Sequence, residues 1–440
     1  MPQDIEAERI VLGMLMTDTD AYQRVADILT PKHFYNESHQ LIYQAIANLK
    51  DNNNPTSFIA VCDELKKANA LEKAGNVSYV VDLSGAVTTS VGLEYYCKII
   101  AEKYLRRLIT QQACETLKEG QDESVDLDNA LEHAYKGLER LQQYAHDDDF
   151  EEMDTVLRRV QKNLQDACNS DGITGIPSGF IELDGITSGF HPGELIVVAG
   201  RPGMGKTIFA LCLAKHAAVV LNIPTAFFSL EMTNEDLGKR LLSNQSKVNS
   251  KLMDNGKFEQ EDWRKIDLAL GQMQGHPIYF NEMAGMTINK LCSKARRIVQ
   301  EKGVQLILID YMQLIQSEAN KHVTRQEMIA EISRQLKLLA KDLKIPVIVL
   351  SQLNRNIESR EGVDGKRPHL SDLRDSGSIE QDADLVMFIH RPEYYGYTVD
   401  KSGNDLRGIA QIIIAKHRKG ALGQVDLKFT PQYSQFEDQA

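Results

Sequence analysis

One short stretch of this sequence carries glycines, a lysine and a threonine at a spacing that suits phosphate chemistry. An apolar run over residues 195–199 leads into Gly200-Arg201-Pro202-Gly203-Met204-Gly205-Lys206-Thr207. This segment fits the pattern G-x-x-x-x-G-K-[ST] at every fixed position, and a helical pattern of apolar residues follows it. Glycines let main-chain N–H groups close around phosphates, Lys206 can reach the β- and γ-phosphates, and the Thr207 hydroxyl can ligate Mg²⁺. The pattern predicts a nucleoside triphosphate site, and it disfavours the alternative of a glycine-rich turn without a ligand.

Two further apolar runs end in a carboxylate. Residues 304–310 predict a buried strand ending in Asp310, and residues 225–231 predict another ending in Glu231. Ligands of open α/β sheets lie at the carboxyl edge, so we expect Asp310 to hold Mg²⁺ directly or through a water. Glu231 is the candidate base that orients and deprotonates the attacking water. A Glu at a strand end is often a surface or capping residue, but the neighbouring phosphate loop favours catalysis.

Three uncharged or basic positions complete the candidate site. Gln352 follows the predicted strand 346–351 and can sense the γ-phosphate, although a purely structural amide is an open alternative. Lys416 and Arg418 lie two residues apart at a strand end, so both project to one face. They are either a solvated hairpin tip or a pair that acts on the nucleotide of a neighbouring subunit. The polar stretch 355–369 fits a nucleic-acid backbone contact and a loop equally well.

The elements around these residues divide the chain into three parts. Residues 1–148 show helical periodicity nearly throughout and predict an all-α N-terminal domain, including helices over 56–68, 92–121 and 124–144. Residues 149–174 predict an acidic linker with one short amphipathic helix, 155–168, which must dock on something. Residues 175–440 alternate strands and helices, which predicts an α/β domain with a mostly parallel sheet and an antiparallel hairpin at its end.

Composition indicates an ordinary globular protein with no expected membrane span. The chain has 440 residues, 42% apolar, and a net charge of −12. That charge is uneven: residues 1–145 carry 14 Lys and Arg against 22 Asp and Glu, whereas residues 176–440 carry 33 against 32. The total charge therefore does not exclude a nucleic-acid surface on the second half. The six scattered cysteines predict reduced thiols rather than disulfides or a metal site.

Several motifs in order resemble those of the bacterial replicative DNA helicases of the DnaB type, nearly end to end. The N-terminal motif is 5–13, and the entry to the second domain is 175–190. The remaining motifs are Ser229-Leu230-Glu231-Met232, Ile309-Asp310-Tyr311, Ser351-Gln352-Leu353-Asn354-Arg355 and the segment 372–384.

This resemblance implies a homohexameric ring of RecA-like, P-loop motor domains under a collar of N-terminal domains. It implies ATP-driven 5′→3′ movement on single-stranded DNA, with ATP and Mg²⁺ bound and with Glu231 as catalytic carboxylate. It implies that Lys416 and Arg418 act in trans, and that the helix 155–168 docks on the adjacent motor. Arg374, Asp375 and Gly377 match the DNA-contacting loop of the family. Primase and a helicase loader are the implied partners, in a cytoplasmic setting.

Two other classes share parts of this pattern. A RecA-like ATPase that binds DNA without unwinding it, such as a recombinase or regulator, would share the phosphate loop and sheet, but the helical segment 1–145 argues against it. A non-enzymatic nucleotide switch would need neither Glu231 nor Arg418. We therefore expect an ATP-dependent DNA helicase.

Overall fold

The computed structural model describes residues 1–439, except positions 19, 53, 86–91, 128–129, 132, 135–136, 139–140, 142–152, 169–171, 284, 317–323, 361, 363–364, 374–376 and 400–402. Contacts divide the chain into two compact units, residues 1–150 and 151–440. Part of the predicted helix 124–144 and the whole acidic run 146–152 lie outside the described residues.

The first unit is helical in its described part. Local capping explains where two helices begin: the Asp4 side chain accepts the N–H of Ala7, and the Asn36 side chain accepts the N–H of Ser38. Their apolar faces, with residues such as Leu12 and Ile46, meet in one core. The helices are α1 (Ile5–Thr17), α2 (Glu37–Asp51), α3 (Phe58–Lys67), α4 (Asn76–Gly85) and α5 (Leu93–Gln121).

A cluster of polar side chains is buried among these helices. The Glu8 carboxylate accepts the N–H of Tyr35 at 2.6 Å and lies 2.7 Å from Nδ1 of His39. Nε2 of His39 lies 2.7 Å from the Tyr79 hydroxyl. Both Glu8 and His39 are buried, and every contact joins two elements of the same unit. His39 is thus a packed histidine with a structural role.

The second unit is built on a nine-stranded sheet. The strands are β1 (Leu195–Gly200), β2 (Thr225–Ser229), β3 (Ile278–Glu282), β4 (Leu306–Asp310), β5 (Val347–Gln352), β6 (Leu385–His390), β7 (Ile409–His417), β8 (Gly423–Thr430) and β9 (Gln435–Asp438). Their order across the sheet is β3-β2-β4-β5-β1-β6-β7-β8-β9. Pairing is parallel from β3 to β6 and antiparallel from β6 to β9. The carboxyl ends of β1, β2, β4 and β5 therefore meet at one edge.

Helices cover both faces of this sheet, with one apolar core on each side. Neighbouring strand residues alternate between the two cores, as Val197 and Ile196 do in β1. No helix in the described ranges is long and apolar enough to cross a membrane. The helices are α6 (Met153–Cys168), α7 (Ile181–Thr187), α8 (Lys206–Lys215), α9 (Asn234–Ser246), α10 (Ser250–Asn255), α11 (Gln260–Met273), α12 (Ile288–Lys302), α13 (Arg325–Leu343) and α14 (Gly377–Asp382).

Helix α6 presents an apolar stripe to solvent. Its apolar residues recur every three or four positions, which places them on one face. Their exposed fractions lie between 45% and 70%, so no part of the chain that the structure describes covers this face. They are Met153, Leu157, Val160 and Leu164.

The structure differs from the sequence prediction at one strand end and in several short elements that were not predicted. β2 ends at Ser229 and not at Glu231, because the Ser229 hydroxyl bonds both the N–H and the carbonyl of Met232 and closes a turn. The short strand β9 was not predicted, since its four residues are mostly polar. Helices α10 and α11 were also not predicted, although Trp263, Ile266, Leu270 and Met273 recur at helical spacing in α11.

Candidate nucleotide-binding site

The segment 201–205 forms the phosphate loop between β1 and α8. Gly205, which precedes the first residue of α8, has φ +96°, a conformation that side chains rarely adopt. A Cβ there would also come within 3.1 Å of Phe436 and 3.3 Å of Phe429. Only glycine fits this position. The first main-chain N–H groups of α8 have no acceptor within the helix, so they are available for an anion.

Lys206 is the first residue of α8 and reaches back across the loop. Its ammonium donates to the carbonyl oxygens of Gly200 at 2.9 Å and Arg201 at 3.3 Å. Burial lowers the pKa of Lys206 to about 8, although the carboxylates of Asp310 and Glu231 raise it. A buried ammonium beside helix N–H groups is a site that an anionic ligand would stabilise.

Thr207 and Asp310 form a hydrogen-bonded pair beneath the loop. The Thr207 hydroxyl donates to Oδ2 of Asp310 at 2.7 Å. Burial raises the pKa of Asp310, and the hydrogen bond from Thr207 and the charge of Lys206 act against that rise. The pair therefore offers two oxygen atoms in a poorly solvated place, which is the donor type that Mg²⁺ prefers.

A cavity of about 390 Å³ opens over these groups. Glu231 lies at its wall in the turn after β2, on a backbone fixed by the Ser229 hydroxyl and by the N–H of Leu230, which donates to the Asp310 carbonyl at 2.8 Å. The lining residues are Pro202, Gly203, Gly205, Lys206, Thr207, Ile208, Glu231, Met232, Arg240, Asp310, Tyr311, Gln352, Arg391, Phe429 and Pro431. The structure thus gathers five predicted groups at one cavity: the loop, Lys206, the Thr207–Asp310 pair, Glu231 and Gln352.

Gln352 ends β5 directly beside the phosphate loop. It pairs in register with Gly200 of β1. The side chain of Gln313 fixes its backbone: Oε1 accepts the N–H of Gln352 at 3.2 Å, and Nε2 donates to the Ser351 hydroxyl at 2.8 Å. Because Gln313 fills the bracing role, the Gln352 side chain is available to face the cavity that it lines.

Two loop residues turn their side chains away from the cavity. The Arg201 guanidinium is paired with Glu358 at 2.6 Å and donates to the Leu353 carbonyl at 2.9 Å. Met204 is 1% exposed and packs in the core. Only their main-chain groups can contribute to phosphate binding.

Sequence reasoning missed Arg391, which follows β6 at the same edge. Its guanidinium lies 4.2 Å from the ring centroid of Phe429 and donates to the Gly203 carbonyl at 3.2 Å. Burial lowers the pKa of Arg391. The sequence did carry a signal for Arg391, because this residue comes directly after an apolar run, at a position similar to that of Gln352. Tyr311 has the same signal, because it comes directly after β4, whereas Arg240 and Phe429 had no comparable signal.

Lys416 and Arg418 lie near the amino-terminal ends of the parallel strands, whereas the phosphate loop follows the carboxyl end of β1. His417 pairs with Leu385, which pairs with Ile196 near the start of β1. Gly200, the last residue of β1 before the loop, lies four residues further along, roughly 13 Å away at ~3.3 Å per strand residue. These two cations therefore do not reach the cavity of their own chain.

The predicted DNA-contacting residues are only partly visible. Arg374 and Asp375 lie outside the described residues. Gly377 is exposed and begins α14.

Comparison with known proteins accounts for both units. Residues 1–102 match the DnaB-like helicase N terminal domain, and residues 175–438 match the DnaB-like helicase C terminal domain. The chain is 40% identical over 436 residues to the replicative DNA helicase DnaC of Bacillus subtilis, covering 99% of this chain and 94% of that protein. The replicative DNA helicase DnaB of Geobacillus stearothermophilus matches with the same identity and coverage.

A solved structure agrees with these matches. A DnaB-like replicative helicase, described together with its interactions with primase, superposes with a TM-score of 0.82 at 31% identity, covering 99% of this chain and 100% of that one. A second solved structure, of an isolated ATPase domain, gives a TM-score of 0.60 at 37% identity, covering 66% of this chain and all of that domain. The predicted helical N-terminal domain and the RecA-like C-terminal domain are confirmed. The chain belongs to the DnaB-like replicative DNA helicase family.

Proposed function

We propose that this protein is a replicative helicase that uses ATP to move 5′→3′ on single-stranded DNA and unwinds duplex at the replication fork as a homohexameric ring. The observation that carries the proposal is the full-length relationship to replicative helicases combined with the cavity that gathers Lys206, Thr207, Asp310, Glu231 and Gln352. The match over residues 1–102 to a helicase N-terminal domain speaks against an ATPase that lacks a collar.

Within the cavity, we assign roles by chemistry. The ammonium of Lys206 and the main-chain N–H groups of 203–207 would bind the β- and γ-phosphates of ATP. Glu231 would accept the proton of the attacking water, and the Gln352 amide would hydrogen-bond the γ-phosphate without competing as a base. Arg391, stacked on Phe429 at the cavity wall, would add a positive charge on the side of Gly203.

The Thr207 hydroxyl and the Asp310 carboxylate would hold Mg²⁺, Asp310 directly or through a water. Among the described residues there is no cluster of three or more His, Cys, Asp or Glu that could hold a metal by itself. That donor set fits an ion that keeps waters and takes oxygens from the nucleotide. Bound Mg²⁺ would neutralise charge on the β- and γ-phosphates.

Two features support assembly into a ring. Lys416 and Arg418 are too far from their own cavity, so we propose that they act on the nucleotide of the neighbouring subunit. The exposed apolar stripe of α6 needs a cover, and we propose that the motor domain of a second copy supplies it. Each subunit would then offer its neighbour both a docking helix and two cations.

The remaining assignments come from the family. We propose that Arg374, Asp375 and Gly377 contact single-stranded DNA, that the helical collar binds primase, and that a loader places the ring on DNA. We propose a cytoplasmic location at the replication fork, with no membrane association.

The decisive experiment compares two partly duplex DNA substrates, one with a single-stranded 5′ tail and one with a single-stranded 3′ tail. The protein should unwind the 5′-tailed substrate in the presence of Mg²⁺ and ATP and leave the 3′-tailed substrate intact. Native mass spectrometry of the same sample should show hexamers. Lys206→Ala, which removes the ammonium from the phosphate loop, is the matched inactive control. DNA-stimulated ATP hydrolysis without unwinding of either substrate would support the alternative, a RecA-like ATPase that does not unwind.

A further inference from the structure

A buried carboxylate at the edge of the sheet opposite the nucleotide cavity holds Arg418 in place. Asp384, 7% exposed, directly precedes β6. Its Oδ1 accepts from Nη1 of Arg418 at 3.1 Å, and its carbonyl accepts the N–H of Arg418 at 2.8 Å. One residue thus fixes both the main chain and the side chain of Arg418.

The other oxygen of Asp384 is already satisfied without Arg418. Oδ2 accepts the N–H of Leu195 at 2.9 Å and the ammonium of Lys337 at 2.6 Å. Lys337 compensates the buried negative charge and also donates to the Gly193 carbonyl at 2.8 Å. Arg418, by contrast, has a side chain that is 46% exposed, so it does not need Asp384 as a partner for burial. The Arg418 contact therefore serves to orient the guanidinium.

The orientation is set from two sides. Nη2 of Arg418 donates to the carbonyl of Gln381 in the last turn of α14, and Nη1 donates to Asp384. A guanidinium carries five N–H donors in a rigid plane. The two described contacts use one donor on each terminal nitrogen, which leaves three for a group outside the chain. The adjacent Lys419 is paired with the buried Glu194 at 2.9 Å, so the turn of the hairpin is held at a second point.

We propose that Asp384 is a positioning residue for the reaction: it aims Arg418 at the γ-phosphate bound by the neighbouring subunit. This rests on the proposed action of Arg418 in trans. Lys337 compensates the charge of Asp384 through the other carboxylate oxygen and takes no part in aiming Arg418.

The first test replaces Asp384 by Asn in the full-length protein. Asp384→Asn keeps the size, but it removes the negative charge that attracts the guanidinium and replaces one acceptor oxygen by an N–H donor. We expect kcat for ATP to fall roughly 10-fold to 10²-fold with KM unchanged, because Arg418 acts on the charge that develops in the transition state. An unchanged kcat would overturn the proposal. A raised kcat would also overturn it, since the carboxylate would then be holding Arg418 back.

Lys337→Met is the matched control, because it breaks the other ion pair of the same carboxylate and leaves the Arg418 contact. It should lower the melting temperature while kcat stays within about twofold of wild type. Should Asp384→Asn fail to fold, Asp384→Glu keeps the charge and shifts its position by one methylene. It should assemble normally and still lose turnover, and full turnover in Asp384→Glu would count against positioning.

A double-mutant cycle separates this inference from the function on which it rests. If Asp384 acts through Arg418, the double variant Asp384→Asn/Arg418→Ala has the kcat of Arg418→Ala alone. Multiplied losses would show that Asp384 acts independently and would overturn the inference while Arg418 keeps its role. Wild-type turnover in Arg418→Ala would instead overturn the role of Arg418, and the inference with it.

Discussion

Both units bury a cluster of hydrogen-bonded polar side chains, but the two clusters differ in what lies beside them. In the collar, Glu8, His39 and Tyr79 bond to one another among packed helices. In the motor, Lys206 and the Thr207–Asp310 pair are bonded just as well, yet they line a cavity of about 390 Å³. Satisfied hydrogen bonds therefore do not distinguish a structural cluster from a functional one. The cavity and the position at the carboxyl ends of parallel strands do.

If this distinction is right, the largest effect should come from a residue that serves the motor cavity of another subunit. Arg418→Ala should lower ATP turnover by about 10³–10⁵-fold, because it removes positive charge from the transition state. Mixing Arg418→Ala subunits with Glu231→Gln subunits should restore some hydrolysis, since one type of interface regains both groups. Turnover is measured on rings whose mixed composition native mass spectrometry has verified. Verified mixed rings that stay inactive, while mixtures with wild type are active, would rule out action in trans.

A change in the collar cluster should affect stability and not chemistry. His39→Ala removes the partner of a buried carboxylate and of the Tyr79 hydroxyl, so it should lower the free energy of unfolding by about 2–4 kcal/mol. Lys66→Ala is the control, because the Lys66–Asp63 pair is exposed and should contribute below about 1 kcal/mol. Denaturant unfolding measures both, and turnover per folded ring should remain that of wild type. A large loss of turnover in folded His39→Ala would show that the collar cluster has a functional role and not only a structural one.

The affinity of the motor cluster for nucleotide should depend on pH. The pKa of Lys206 is about 8 in the chain alone, and bound phosphates favour the ammonium form. At pH 7 the charge is present before and after binding, whereas above pH 8 the protein must take up a proton to bind. ATP affinity should therefore fall up to about tenfold per pH unit above 8.

Calorimetry in two buffers with different ionisation enthalpies measures this proton uptake. Lys206→Arg retains its charge throughout and should show no uptake from this position. Equal uptake in the wild type and in Lys206→Arg would assign the titration to another group.

The smallest predicted effect concerns DNA. Arg374→Ala should weaken single-stranded DNA binding and reduce the slope of log affinity against log salt by about one unit, since one phosphate contact is lost. Basal ATP hydrolysis without DNA should persist. Fluorescence anisotropy over a salt series measures the slope, and a parallel line at lower affinity would mean that Arg374 does not contact a phosphate.

Much of the motor fold was predictable because its signals are local. Helix α13 spans Arg325–Leu343, and Thr324 and Glu327 form a capping box at its start, which is a pattern visible in the sequence. β4 and its terminal Asp310 follow from an apolar run that ends in a charge. Thr287 caps α12, as its position before the helix suggests.

What sequence reasoning missed depends on contacts between distant segments. Arg391 reaches the phosphate loop only because β6 pairs with β1, a neighbour nearly 190 residues earlier in the chain. Glu231 leaves the strand because Ser229 bonds Met232, a contact that apolar periodicity does not report. The collar showed the same limit: the pairing of Glu8 with His39 requires α1 and α2 to pack first.

The phosphate loop and Arg418 lie at opposite ends of the strands of one sheet, and this placement determines how many complete catalytic sites a ring contains. If Arg418 serves the next subunit, the contact between subunits is head-to-tail, with two different surfaces meeting at each junction. In a closed ring the number of complete catalytic sites equals the number of subunits. A ring opened at one junction has one site fewer, and the two subunits at the break are unlike: one has a nucleotide cavity without a finger, the other a finger without a cavity. Opening the ring to admit a DNA strand would thus inactivate the catalytic site at the open junction. The two subunits at that junction would then be the two distinct ends of the assembly.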